Sequence, residues 1–134
     1  MYRRENPQIS LYDIVPPFSG ALDPNNRWVR LADALDWDAL ETAYAGHFAA
    51  GGKEALPVRT AFGSLVVRSA LGLSDHQTVL LIPESPYLQY FVGMSEFDHK
   101  LPFSTRSLKT FRQRIPAAEV NRAVKLLAQF EKQK

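Results

Sequence analysis

Short apolar segments, each bounded by a proline, a glycine or a helix-capping side chain, follow one another from Asn26 to the end of the chain. Within each segment the apolar residues recur every three or four positions, which is the spacing of one helical face. No stretch alternates apolar and polar residues over the length of a strand, and no segment is repeated. The sequence therefore predicts an all-α fold, a compact bundle of six or seven short helices.

Capping residues locate the first three helices. The first is expected over Trp28–Leu35, and a second follows with Asp36 as its N-cap, carries Phe48 on its apolar stripe and ends at a glycine pair. A third is expected over Val58–Leu71, with Pro57 at its first position. Both tryptophans fall on apolar stripes, so we expect them in the core rather than in a ligand site.

The third helix is followed by a tight turn and another helix. Gly72 offers the left-handed conformation that ends a helix, and Ser74 with Gln77 forms a capping-box pair that begins the next one, which Pro83 ends. Two helices joined by a tight turn containing glycine have the outline of a helix-turn-helix-like unit. Ordinary helical hairpins share this outline.

Three more helices complete the chain. Ser85 opens a short one that Gly93 closes, Ser104 caps a helix that runs to Ile115, and Pro116 breaks the chain before the last helix. The last helix carries an apolar stripe made of Val120, Ala123, Val124, Leu127 and Phe130.

The first 25 residues differ from the rest because they contain four prolines, which lack backbone donors, and two turn sequences. We therefore expect an extended N-terminal arm over residues 1–25 and a helical domain over residues 26–134.

Charge is distributed unevenly along the chain. Residues 1–99 hold 7 Lys and Arg against 12 Asp and Glu, a balance of −5, whereas residues 100–134 hold 9 against 2, a balance of +7. A basic block of this kind is typical of a surface that binds nucleic-acid phosphates. It is also compatible with a solvated helix face or with pairing to the acidic front part.

Motifs of enzymes and of membrane or secreted proteins are not found. The chain has no cysteine, no apolar run near the roughly 18 residues of a membrane helix and no apolar leader, so we expect a cytoplasmic protein. His47, His76 and His99 lack metal-site spacing, and no nucleophile or phosphate-loop motif is present. We therefore expect no catalytic residue, no metal site and no cofactor in this chain.

The helix over Ser104–Ile115 is the most informative segment for function. At about 100° per residue its apolar residues Leu108, Phe111 and Ile115 lie on one side, opposite a basic and hydrogen-bonding side. Arginine and lysine hold phosphates or guanine edges, and glutamine pairs with adenine. The candidate DNA-binding residues are Arg106, Lys109, Thr110, Arg112, Gln113 and Arg114. An exposed helix kept soluble by its charges gives the same pattern, and Arg112 lies at the border of the apolar side.

Four blocks of sequence occur in a characteristic order: NRWVRLADALDWDALETAYAGHF, LPVRTAFGSLVVRSALGLSDHQTV, SPYLQYFVGM and LPFSTRSLKTFRQRI. Together with the opening MYRRE they resemble the InsH-like N-terminal domain of bacterial insertion-sequence transposases of the DDE type. The resemblance spans nearly the whole chain. Its most specific part is the order GLS, PYLQYFVG and PFS, followed by the basic FRQRI helix.

The resemblance implies a helical, non-catalytic module that binds double-stranded DNA at the terminal inverted repeats of a mobile element during transposition. In such enzymes strand cleavage belongs to an RNase H-like domain in which acidic residues hold two divalent metal ions. We expect that domain to be absent from these 134 residues. Two alternatives stay open: a module for self-association or for contact with the transposase catalytic domain, and a truncated transposase remnant.

Overall fold

A computed structural model describes residues 17–44, 57–101 and 103–132 of the chain. Within these ranges the chain forms helices and turns and contains no strand, which confirms the predicted all-α bundle. The α-helices are α1 (Arg27–Ala34), α2 (Trp37–Tyr44), α3 (Val58–Leu71), α4 (Asp75–Leu81), α5 (Pro86–Phe91), α6 (Thr105–Arg114) and α7 (Ala117–Lys132).

Helix α3 is the centre of the bundle and packs against α2, α4, α6 and α7. Its residues from Thr60 to Val67 are all buried, so it is enclosed on every side over two turns. Gly63 permits its closest contact, because a Cβ atom there would lie 3.2 Å from the Cα atom of Val92, beside the end of α5. The central helix therefore fixes the positions of the other elements.

Helix α7 packs across α3 and α1 with the predicted apolar stripe. Val120, Ala123 and Leu127 are buried, whereas Val124 and Phe130 are half-buried and pack against the core. An ion pair between Arg27 and Glu131 joins the start of α1 to the end of α7, so α7 closes one side of the bundle.

The turn between α3 and α4 has the predicted caps. Gly72 adopts a left-handed conformation with φ of 66°, Ser74 Oγ accepts from Gln77 N at 3.1 Å, and Gln77 Oε1 accepts from Ser74 N at 2.9 Å. Helix α4 ends at Leu81, however, and Pro83 lies in a following 3-10 turn rather than ending the α-helix directly. Proline lacks an N–H group, and such a turn tolerates it near its start.

Two other boundaries differ from expectation by one position. Pro57 is the N-cap of α3 instead of its first helical residue, and the first helix covers Arg27–Ala34, with Leu35 as an extended C-cap. Asn26 caps that helix by accepting from Trp28 N at 2.8 Å. The polar cap, rather than the apolar stripe, sets where the helix begins.

Aromatic rings from α1, α2, α3 and α5 meet at one end of the bundle. The ring of Phe91 lies 5.2 Å from that of Trp28 and 5.6 Å from that of Trp37, which also contacts Phe62. The prediction that both tryptophans belong to the core is confirmed. Trp28 is buried, and Trp37 is partly buried and donates its indole N–H to the carbonyl of Ala32 at 2.8 Å.

Two predicted features fall wholly or mainly outside the described residues. The stretch predicted to extend the second helix through Phe48 to its glycine pair lies in residues 45–56. The extended arm predicted over residues 1–25 is described only from residue 17, where Phe18 N donates to Ser95 O at 2.8 Å and Asp23 N to Tyr87 Oη at 2.9 Å. The arm and the domain division stay predictions.

Candidate nucleic-acid interface

Helix α6 begins where the sequence predicts and ends one residue earlier, at Arg114. Ser104 has an extended backbone and its hydroxyl oxygen accepts from Ser107 N at 3.3 Å, which satisfies one of the free N–H groups of the first turn. Ile115 leaves the helical conformation immediately before Pro116, since a residue that precedes proline is disfavoured in a helix. The element is therefore a helix of ten residues with defined ends.

One side of α6 is anchored in the core. Leu108, Phe111 and Ile115 expose 0%, 4% and 3% of their surface, and the ring of Phe111 meets that of Phe103 edge-on at 5.5 Å between centroids. These side chains pack the helix against α3 and α4. Because three buried side chains on successive turns hold α6, its orientation relative to the bundle is fixed.

The opposite side of α6 carries the candidate DNA-binding residues. Arg106, Lys109, Gln113 and Arg114 are exposed, and Thr110 is partly exposed, with its hydroxyl 3.4 Å from the carbonyl oxygen of Arg106. The division into an apolar and a basic side is thus confirmed by burial. Contact of these side chains with DNA stays a prediction.

Arg112 has a role that sequence reasoning did not find. Its Nε donates to Asp75 Oδ1 at 3.1 Å and its Nη2 to Asp75 Oδ2 at 2.6 Å, a bidentate ion pair between α6 and the start of α4. Arg68 of α3 donates its Nε to Asp75 Oδ1 at 2.7 Å. One carboxylate therefore joins three helices, which we call the Asp75 cross-link.

The electrostatics of the Asp75 cross-link follow from its geometry. Hydrogen bonding from Arg112 is the main reason that the pKa of Asp75 lies below its usual value, and Arg68 lowers it further. Asp75 in turn raises the pKa of Arg112. Asp75 also lies in the first turn of α4, where a negative charge interacts favourably with the helix dipole.

A buried glutamine in α5 holds the loop that precedes α6. The Gln89 amide nitrogen donates to the carbonyl oxygens of Ile82, Pro83 and Asp98 at 3.3, 3.2 and 2.9 Å, and its Oε1 accepts from Asp98 N at 2.9 Å. Gln89 exposes 0% of its surface. It therefore ties the loop that precedes α6 to the 3-10 turn after α4. A polar residue inside the apolar run PYLQYFVG was the signal for this role.

The described residues contain no group of three or more His, Cys, Asp or Glu side chains that could hold a metal ion. His76 and His99 are exposed and lie on different elements, and His47 lies outside the described ranges. No helix in the part of the chain that the structure describes is long and apolar enough to cross a membrane.

Comparison with known proteins connects this geometry to a family. Residues 17–114 match the family described as "Transposase domain (DUF772)", a range that includes α1 to α6. A curated protein of Rhizobium meliloti named "Uncharacterized protein ORF8 in nfe locus" is 30% identical over 94 residues, which are 70% of this chain and 45% of that protein. The chain thus spans less than half the length of this relative. No solved structure matches the present chain.

Proposed function

Because this chain belongs to the family of transposase domains described as DUF772, we propose that it binds double-stranded DNA at the terminal inverted repeats of an insertion sequence. The observation that carries the proposal is the two-sided packing of α6. Three core side chains fix the helix, and Arg106, Lys109 and Gln113 project from its other side. A rigid helix with outward donors can enter a DNA groove without rearranging the bundle.

The exposed side of α6 fits a major groove in size and chemistry. Ten helical residues span about 15 Å, and a helix fits the groove width of about 12 Å. Arg106 and Lys109 suit phosphates or guanine edges, and the Gln113 amide suits adenine. Thr110 and Arg114 complete the contact surface, and Arg112 contributes mainly by holding α6 in place.

The helix-turn-helix-like unit made of α3, the Gly72 turn and α4 supports α6 in this proposal and does not read bases itself. Asp75, at the start of α4, uses its carboxylate in ion pairs with Arg68 and Arg112. Gln77 uses its side-chain oxygen in the capping box. Helix α4 contacts α6, so its role is to position that helix.

The proposal assigns DNA binding to this chain and strand cleavage to a separate RNase H-like domain of the transposase. Divalent metal ions belong to that catalytic domain. In this arrangement the chain acts in the bacterial cytoplasm, as a part of a larger recombination enzyme.

The test is fluorescence anisotropy with a duplex of the element's own terminal repeat and with a scrambled duplex. The variant Arg106→Glu/Lys109→Glu should weaken binding to the repeat by about tenfold or more, because each lost contact costs about 1–3 kcal/mol. The matched control Arg122→Glu/Lys125→Glu reverses two exposed charges on α7 and should change binding by about twofold or less. Equal effects of the two variants would contradict a specific role of α6.

Self-association is the second candidate function, and its support is weaker in the folded chain. It depends on the apolar stripe of α7, of which Val120, Ala123 and Leu127 are buried against the bundle. Only Val124 and Phe130 remain half-buried. Sedimentation across a wide concentration range tests this candidate, and a strict monomer at high concentration would count against it.

A further inference from the structure

A cavity of about 260 Å³ opens between the ends of α3 and α6 and the start of α7. It is lined by the core residues Leu65, Ile115 and Val120 and by the polar residues Arg68, Ser69, Arg112 and Asn121. Ala117, the first residue of α7, lines the same cavity. Four polar residues, two of them arginines, therefore line one small space.

The Asp75 cross-link orients both guanidinium groups before any ligand arrives. It uses Nε of Arg68 and Nε and Nη2 of Arg112. The remaining Nη groups, two on Arg68 and one on Arg112, have no hydrogen-bond partner among the described residues. Because both side chains are already held in place, little rotamer entropy is lost when they bind a ligand.

The charge around the cavity favours an anion. Two arginines against one aspartate leave a net charge of +1, and Asp75 is not among the described residues that line the cavity. Guanidinium groups match the geometry of phosphate oxygens, which accept several hydrogen bonds at once.

We propose that this cavity is a phosphate site, and that its ligand is a phosphate of the DNA backbone beside the groove that α6 enters. Arg112 lies one turn after Lys109 on α6, so the cavity is at the edge of the exposed side of that helix. A phosphate held there by Arg68, Arg112 and Asn121 fixes the register of α6 on the duplex. The assignment of the phosphate to DNA rests on the proposed function. The binding of a phosphate in the cavity rests only on the residues that line it.

The first arm of the test uses inorganic phosphate and the whole chain. Titration at millimolar concentrations should shift the side-chain Nε–H resonances of Arg68 and Arg112 in a saturable way. The variant Asn121→Asp places a carboxylate at the cavity and should abolish the shifts. Asn121 is exposed and takes no part in the Asp75 cross-link, so the fold should be kept, which equal melting temperatures would verify.

The control variant Gln129→Glu adds the same charge on α7, two turns away on an exposed position, and should leave the shifts intact. Shifts that are absent, or that both variants remove equally, would overturn the site.

The second arm identifies the source of the phosphate. With repeat DNA, Asn121→Asp should weaken binding by about tenfold and lower the slope of log affinity against log salt by about 1, as expected for one lost phosphate contact. Gln129→Glu should change neither by much. An unchanged slope with intact phosphate shifts would overturn the assignment to DNA. If the unaltered chain does not bind repeat DNA but shows phosphate shifts that Asn121→Asp abolishes, the proposed function is contradicted and the phosphate site is not.

Discussion

Arg59 is partly buried at one end of the bundle, against the rings of Trp37 and Tyr90, whereas Arg112 is exposed at the other end, against the carboxylate of Asp75. Arg59 donates its Nε to Phe91 O at 3.1 Å and its Nη2 to Tyr90 O at 2.7 Å, which satisfies carbonyls at the end of α5. We call this the Arg59 cross-link. Both cross-links join helices that are far apart in sequence.

The two cross-links differ in the groups that bind the arginine. Burial lowers the pKa of Arg59, and Tyr90 and Asp33 partly offset this effect. Asp75 does titrate, and its ion pairs with Arg68 and Arg112 are partly exposed. The donors of Arg59 go to backbone carbonyls inside the fold, whereas an arginine paired with a carboxylate at the surface can also take part in binding.

Removal of the Arg59 cross-link should have the largest effect on stability. We expect Arg59→Ala to lower the free energy of unfolding by about 3 kcal/mol, because two charge-assisted hydrogen bonds and contacts with two rings are lost. Urea denaturation measures this loss. Arg59→Lys keeps a charge and a donor and should therefore lose less free energy of unfolding. A loss below about 0.5 kcal/mol for Arg59→Ala would show that the cross-link does not stabilise the fold.

The Asp75 cross-link should contribute less at neutral pH and should depend on pH. Asp75→Asn should cost about 1 kcal/mol at pH 7, since the pair is partly exposed. The pKa of Asp75 is lower in the folded chain, so its contribution is present above the unfolded pKa of about 3.9 and disappears as the pH falls through the folded value.

Denaturation at pH 7 and at successively lower values checks this sign. The difference between the unaltered chain and Asp75→Asn should shrink from about pH 5 downward, whereas the difference for Arg59→Ala should stay constant. A difference for Asp75→Asn that grows in acid would reverse the assignment.

Salt should change the stability contributions of the two cross-links to different extents, and this is the smallest of the expected effects. Between 0.1 and 1 M NaCl, the stability lost in Asp75→Asn should decrease by about 0.5 kcal/mol, because screening weakens a partly exposed ion pair. The stability lost in Arg59→Ala should not change. If salt changes the stability losses of Asp75→Asn and Arg59→Ala equally, the two cross-links are screened alike. That outcome would contradict the comparison, because the two cross-links differ in burial.

The local elements of the fold were largely predictable because their signals are local. The bounds of α3, the left-handed Gly72, the capping box of Ser74 and the two sides of α6 all agree with the structure. Each depends on residues three or four positions apart, whose geometry a helix fixes by itself. A boundary shifted by one position where the cap and the apolar stripe disagree, as at Asn26 before α1.

The candidate site was predictable only in part. The exposed side of α6 follows from periodicity, but the use of Arg112 depends on a partner 37 residues away. The border position of Arg112 on the helix does not show what packs beside it, so its pairing with Asp75 could not be predicted. Arg68 and Asn121, which complete the cavity, gave no signal because they share no segment with α6.

The sequence by itself determined that this chain forms short helices, where most of them begin and end, and that α6 has a basic side. Those properties come from backbone caps and from side-chain spacing within a segment. Only the tertiary structure decided that Asp75 joins Arg68 to Arg112, that Gln89 holds the loop before α6, and that a cavity forms beside Asn121. Such contacts depend on how whole helices pack, and packing is set by all the core side chains at once rather than by any one segment.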